Sequence, residues 1–257
     1  MADSSFPGPD WPQTIVEIDT LARSKKLPDQ EIESLWQTHD VLAVLFAGRY
    51  RGSGRPFINH LAGTAGLALL HDRSYTEVLA TYAHAAYEQG EFGQVATGGS
   101  KKNRQTLRAV IGEEAEALVY QYGDFNWLEI LEQHSAGKAI SLSRQQQQLL
   151  VMRLFNELDD SMDCGAYPAR WTHECLHRLD VGASLAEALG KNTVARHLRG
   201  QEERLRSAGV MTIDGTRRKK SATIANPAWR ARPLLKLSRK LSGMLARLAR
   251  QFPKPPD

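Results

Sequence analysis

Of the eleven prolines in this chain of 257 residues, none lies between Pro56 and Pro168. That interval of more than a hundred residues is rich in Ala, Leu, Glu and Gln, which lose little side-chain freedom in a helix. A chain built this way predicts a helical array. Apolar residues recur at three- and four-residue spacing in Ile32, Leu35, Val41, Leu42, Leu45 and Phe46, and again in Leu61, Ala65, Leu67 and Leu70, the pattern of helices that bury one face. Further helices are expected near residues 12–25, 75–88, 103–122, 142–160, 166–178 and 182–207. No alternating run calls for a sheet, so the expected fold class is all-α.

Glycines interrupt the pattern at residues 91–100 (EFGQVATGGS), which reads as a loop or flap. After Gly209 the composition changes again. Residues 210–232 form a basic linker, and Leu234, Leu237, Leu241, Leu245, Leu248 and Phe252 mark one face of a cationic amphipathic helix within residues 233–257. The expected organisation is an N-terminal extension with a first helix over 1–27, a helical domain over 28–209, the linker, and the tail helix. Charge divides the same way: residues 216–257 hold twelve Lys or Arg against one Asp, leaving the first 215 residues about seven charges negative although the whole chain is +4. The tail over 233–252 therefore suits an anionic membrane surface or a protein partner. The scarcity of aromatics there argues against nucleic acid. Two cysteines are too few for a disulfide framework, and no signal segment or spanning run is evident. A cytoplasmic protein, peripheral to the membrane if the tail binds lipid, is the expectation.

The chemistry-bearing residues concentrate in RGSGRPFINH, residues 51–60, and in EVLATYAHAAYEQGEF, residues 77–92. Helices that place His60 beside His84 would bring two imidazoles to one point, and imidazole suits Zn, Mn or Fe. Arg51, Ser53, Gly54, Pro56, Phe57, Ile58 and His60 resemble the opening motif of the hydrolase domain of RelA/SpoT-type alarmone enzymes, members of the HD superfamily. His84 stands where that family has the His of its His-Asp pair. Residues 107–122 are similar to a later family helix, and RLFNELDD, residues 153–160, falls where the family places its last metal-binding aspartate. The resemblance spans roughly residues 35–165 and implies an HD-type helical bundle.

The departures from that pattern shape the functional expectation. Ala85 occupies the position of the family's metal-binding Asp, and Asn156 aligns with the final aspartate. Glu88 matches an acidic residue near the attacking water, while its usual acidic neighbour is Gln89. Arg51 matches a substrate-contacting arginine and suits a phosphate. These substitutions predict a degenerate domain that binds a phosphorylated, nucleotide-like ligand or a protein partner through Arg51, Ser53, His60, His84 and Asn156. The alternative is a metal-dependent phosphohydrolase. It would hold one divalent ion (Mn, Fe or Zn) on a rearranged set of His60, His84 and Asp160, with Glu88 beside the ion and its water. A second alternative is a membrane-surface module recruited by its tail.

Two weaker signals remain. His173, Glu174, Cys175, Leu176 and His177 spell the HExxH string of zinc peptidases, with Glu187, Glu202 or Glu203 as third-ligand candidates, but an incidental helix surface is the better reading. TGGS at 97–100 with Lys101 and Lys102 could touch phosphate, although a flexible loop explains it as well. Nucleotide cradles, dinucleotide motifs and the serine elbow are absent from the sequence.

Overall fold

A computed structural model describes residues 10–92, 98–164 and 169–208, and side chains are described from Asp10 to Phe92, from Gly98 to Cys164 and from His173 to Ala208. The expected linker and tail helix lie outside the described residues. The fold is all-α. Among the described residues no strand occurs, and a lone bridge joins Tyr50 to Pro56.

Helix ends follow local chemistry. α1 (Ile15–Ser24) is capped by Thr14, whose hydroxyl accepts from the Glu17 amide. α2 (Asp29–Leu45) and α3 (Phe57–Leu70) start directly after Pro28 and Pro56, residues whose extended backbone cannot continue a helix backwards. α4 (Tyr75–Tyr82) opens on a capping box of Ser74 and Glu77, and α9 (Arg144–Asp160) on one of Ser143 and Gln146. Between them lie α5 (Ala86–Gln89), α6 (Lys101–Ile111), α7 (Glu113–Asp124) and α8 (Trp127–Ser135). A single 3₁₀ turn over Ser161–Asp163 follows α9, then α10 (Ala169–Ala188) and α11 (Asn192–Ser207).

Several elements depart from the sequence expectation. The helix expected over 75–88 divides into α4 and α5 around Ala83–Ala85, which puts His84 on a corner rather than inside a helix. The helix expected over 103–122 breaks at Gly112, whose φ of 82° only glycine adopts readily. α8 was not anticipated. Conversely, residues 169–188 run as one helix where two were expected, because the break falls later, at Gly190 with φ of 70°.

α3 is the central element. From His60 to Leu69 every residue is buried, since α1, α4 and α9 all pack against it. A helix apolar all round belongs inside a core, and the polar residues it carries must then find partners within the protein. α1 contributes Ile15, Ile18 and Ala22 to the same core, so the N-terminal helix is part of the bundle. α10 pairs with α11 and lies against α8 and α9.

Candidate functional site

The turn between α2 and α3 is folded by three backbone hydrogen bonds, Arg51 N–H to Arg55 O (2.8 Å), Gly54 N–H to Arg51 O (2.9 Å) and Phe57 N–H to Arg49 O (3.0 Å). Gly54 allows the tight reversal with φ of 94°. The turn aims Arg51, Ser53 and Arg55 at the acidic C-terminal end of α9. There Arg51 pairs with Asp160, Arg55 donates to Asp159 at 2.8 Å, and the Ser53 hydroxyl donates to Asp163 at 2.8 Å.

His60 and His84 do converge. Their ring centroids are 5.3 Å apart with planes at 80°, and both side chains are buried. His60 Nδ1 donates to Asp159 at 2.7 Å. Its Nε2 faces the Asn156 Oδ1 at 3.2 Å, and the Asn156 Nδ2 donates to Asp160 at 3.3 Å. His84 donates from Nδ1 to the Thr81 carbonyl oxygen at 2.8 Å and sets its ring against Tyr122, 5.1 Å between centroids. Burial, aided by the neighbouring His60, pushes the His84 pKa well below the usual imidazole value and keeps the ring neutral.

Asp159 is the hub that holds this arrangement. Its fully buried carboxylate accepts from Trp11 Nε1 (3.1 Å), Gln13 Nε2 (3.3 Å), Arg55 and His60. Burial raises its pKa, but the His60 hydrogen bond and the charges of His60 and Arg55 outweigh this and hold it at about 2. A carboxylate on one imidazole nitrogen is the device that orients histidine ligands in metal sites. Here it fixes the ring beside an amide.

The donor set does not fit a divalent ion. The position after His84 is the buried methyl of Ala85, 4% exposed. Asn156 bridges His60 and Asp160. Asp160 approaches His60 only at its Nδ1 edge, 3.4 Å away, and is tied to Arg51. Among the described residues no group of three or more His, Cys, Asp or Glu is arranged to hold a metal. The expected set of His60, His84 and Asp160 is therefore not assembled as a metal site. A divalent ion needs several unspent oxygen or nitrogen lone pairs, and these groups satisfy one another instead.

Of the residues expected to share one pocket, Arg51, His60, His84 and Glu88, each has its own contacts. Arg51 and Ser53 face the end of α9, with the Arg51 guanidinium also over the Phe57 ring at 5.2 Å. Glu88, exposed and one turn beyond His84, instead lines a cavity of about 340 Å³ with His84, Tyr87, Tyr120, Gly123 and Asp124. A Cβ on Gly123 would stand 3.3 Å from the Glu88 carboxylate, so the glycine leaves that side chain its room. Tyr87 donates to the buried Glu116 at 2.7 Å, and Glu116 also binds Arg104 and Arg108, which braces the cavity wall.

The weaker sequence signals do not gather into sites. His173, Glu174 and His177 are exposed on α10, and Glu174 faces Arg178 at 3.7 Å. Glu187 pairs with Arg199 and Glu202 with Arg206. Lys101 and Lys102 are exposed in the first turn of α6, and Thr97 lies outside the described residues. Arg55, which partners both Asp159 and the Asn59 carbonyl oxygen, escaped notice, because one arginine in a turn carries no local mark of its long-range partner.

Among the described residues no helix is long and apolar enough to cross a membrane. A comparison with curated proteins finds no match. Residues 41–126, the stretch holding Arg51, His60, His84 and Glu88, match the model of a family described as a domain of unknown function, DUF6817.

Proposed function

We propose that this chain is a ligand-binding protein on a degenerate HD-type helical core, in which internal hydrogen bonding has replaced metal chemistry. The observation that carries the reading is the Asn156 amide, held between His60 and Asp160 with the Ala85 methyl buried beside His84. In the resemblance these two positions belong to carboxylate ligands. An amide and a methyl group leave two imidazoles with little to stabilise a doubly charged ion. What remains is a rigid buried frame bordering an open cavity at His84 and Glu88, the arrangement of a binding site. A phosphorylated or nucleotide-like ligand that used Arg51 would have to exchange for Asp160 on the guanidinium.

The test is metal analysis of the purified full chain after growth with added Mn, Fe and Zn. Content far below one equivalent, with no Mn-dependent hydrolysis of bis(p-nitrophenyl) phosphate, is the expected result. A tight stoichiometric ion, lost in His84→Ala while the helical circular dichroism is retained, would favour the phosphohydrolase with a rearranged ligand set and overturn the binding reading. The cationic amphipathic sequence at 233–252 favours one addition, docking of the tail on an anionic membrane surface that brings the bound ligand's site to the bilayer.

A further inference from the structure

The cavity beside His84 has a consistent chemical character. Its two charged side chains, Glu88 and Asp124, are both carboxylates, both exposed, and neither forms an ion pair or hydrogen bond with another described residue. His84 belongs to the wall and is only 5% exposed. Its Nδ1–H is committed to the Thr81 carbonyl oxygen, which leaves Nε2 as a lone-pair acceptor without a partner among the described residues. Tyr87 and Tyr120 supply apolar walls, their rings 6.2 Å apart and at 76°. The neighbouring guanidiniums are engaged elsewhere: Arg104 lies over the Tyr120 ring and is bound to Glu116, Arg153 lies over the Tyr122 ring and donates to the Tyr122 carbonyl oxygen, and Arg51 pairs with Asp160. The cavity thus presents two carboxylates and a bare imidazole nitrogen between aromatic walls, and among the described residues no cationic side chain lines it.

We infer that this cavity binds a small organic cation bearing N–H donors, an amine or a guanidinium or amidinium group, which sets its charged end against Glu88 and Asp124 and donates to His84. An anion is disfavoured there, because it would face two carboxylates and an acceptor while the nearby guanidiniums of Arg153 and Arg51 are engaged with Tyr122 and Asp160. A cation gains charge-assisted hydrogen bonds to carboxylates that have no other partner, while its carbon framework lies against the tyrosines. The inference rests on the binding reading above and names the ligand class of the same site.

Calorimetric titration of the metal-free full chain with benzamidine, agmatine and benzylamine tests it, with inorganic phosphate and AMP as anionic counterparts. At least one of the three cations binds saturably, and Glu88→Gln and Asp124→Asn each weaken it by about tenfold, the scale of one charged hydrogen bond. Both changes conserve shape at exposed positions, so folding is preserved. Gly123→Ala, which crowds Glu88, weakens binding as well. Three outcomes would overturn the inference: no cation binding at millimolar concentration, binding unchanged in both charge-removing variants, or saturable binding of phosphate or AMP that survives them. The metal analysis is independent, since an empty metal position with no cation binding sinks only the ligand class, while a stoichiometric ion alongside variant-sensitive cation binding sinks only the metal-free reading.

Discussion

At the scale of single residues, a buried charge persists only where its lone pairs are filled, and Asp159 meets that condition with four different partners. One consequence concerns Gly63, a turn above His60 on α3. A Cβ at that position would overlap the Asp159 carboxylate, with the carboxyl carbon itself only 2.6 Å away. In an ordinary helix interior Gly→Ala stabilises by about 1 kcal/mol. Overpacking a filled site typically costs about 1–3 kcal/mol, and here it would also displace the carboxylate that holds His60 and Arg55. Gly63→Ala is therefore expected to lower the midpoint of urea unfolding. A raised midpoint would mean that Asp159 moves aside freely and is not the hub described.

At the scale of elements, His71 joins three helices. It ends α3, stacks on Phe155 of α9 at 5.3 Å, and lies with Nε2 3.1 Å from Nδ1 of His197 on α11. Burial, then the neighbouring His197, lowers the His71 pKa to about 4, and burial lowers that of His197 as well. Asp72 opposes the shift on His71, and Asp10 that on His197. A base whose pKa is lower in the folded state binds fewer protons there, so the stability it contributes is whole above about 6.5 and is lost as pH falls toward about 4. Thermal midpoints should be level above pH 6.5 and fall between 6.5 and 4. His71→Asn should flatten that fall, and an unchanged slope would remove this contact from the acid response.

At the scale of the whole molecule, the charge division in the sequence sets a body of about −7 against a strongly cationic tail. Among the described residues the buried core is drawn from Trp11 to Leu198. A chain ending at Ala208 is thus expected to keep its cooperative thermal unfolding while losing the co-sedimentation with phosphatidylserine vesicles that is expected of the full chain at low salt. Rising salt should weaken the full chain's binding, since each basic residue near the surface contributes about 1 kcal/mol that ions screen. Equal sedimentation of both chains would dismiss the tail as a membrane device.

What the sequence determined by itself was the local chemistry. Helix class was legible, and the starts of α1, α4 and α9 were legible to within a few residues, where Thr14, Ser74 and Ser143 act on neighbours close in sequence. His60 and His84 were legible as a pair because the motif around each is contiguous. Only the tertiary structure decided what surrounds them. Asn156 and Asp159 reach His60 across 96 and 99 residues of chain, and Asp160 reaches Arg51 across 109. Sequence offers several carboxylates within one turn of α9, and nothing local says which one an imidazole, a guanidinium or an ion will take. Packing of α3 against α9 makes that choice, through distances that no short-range propensity encodes.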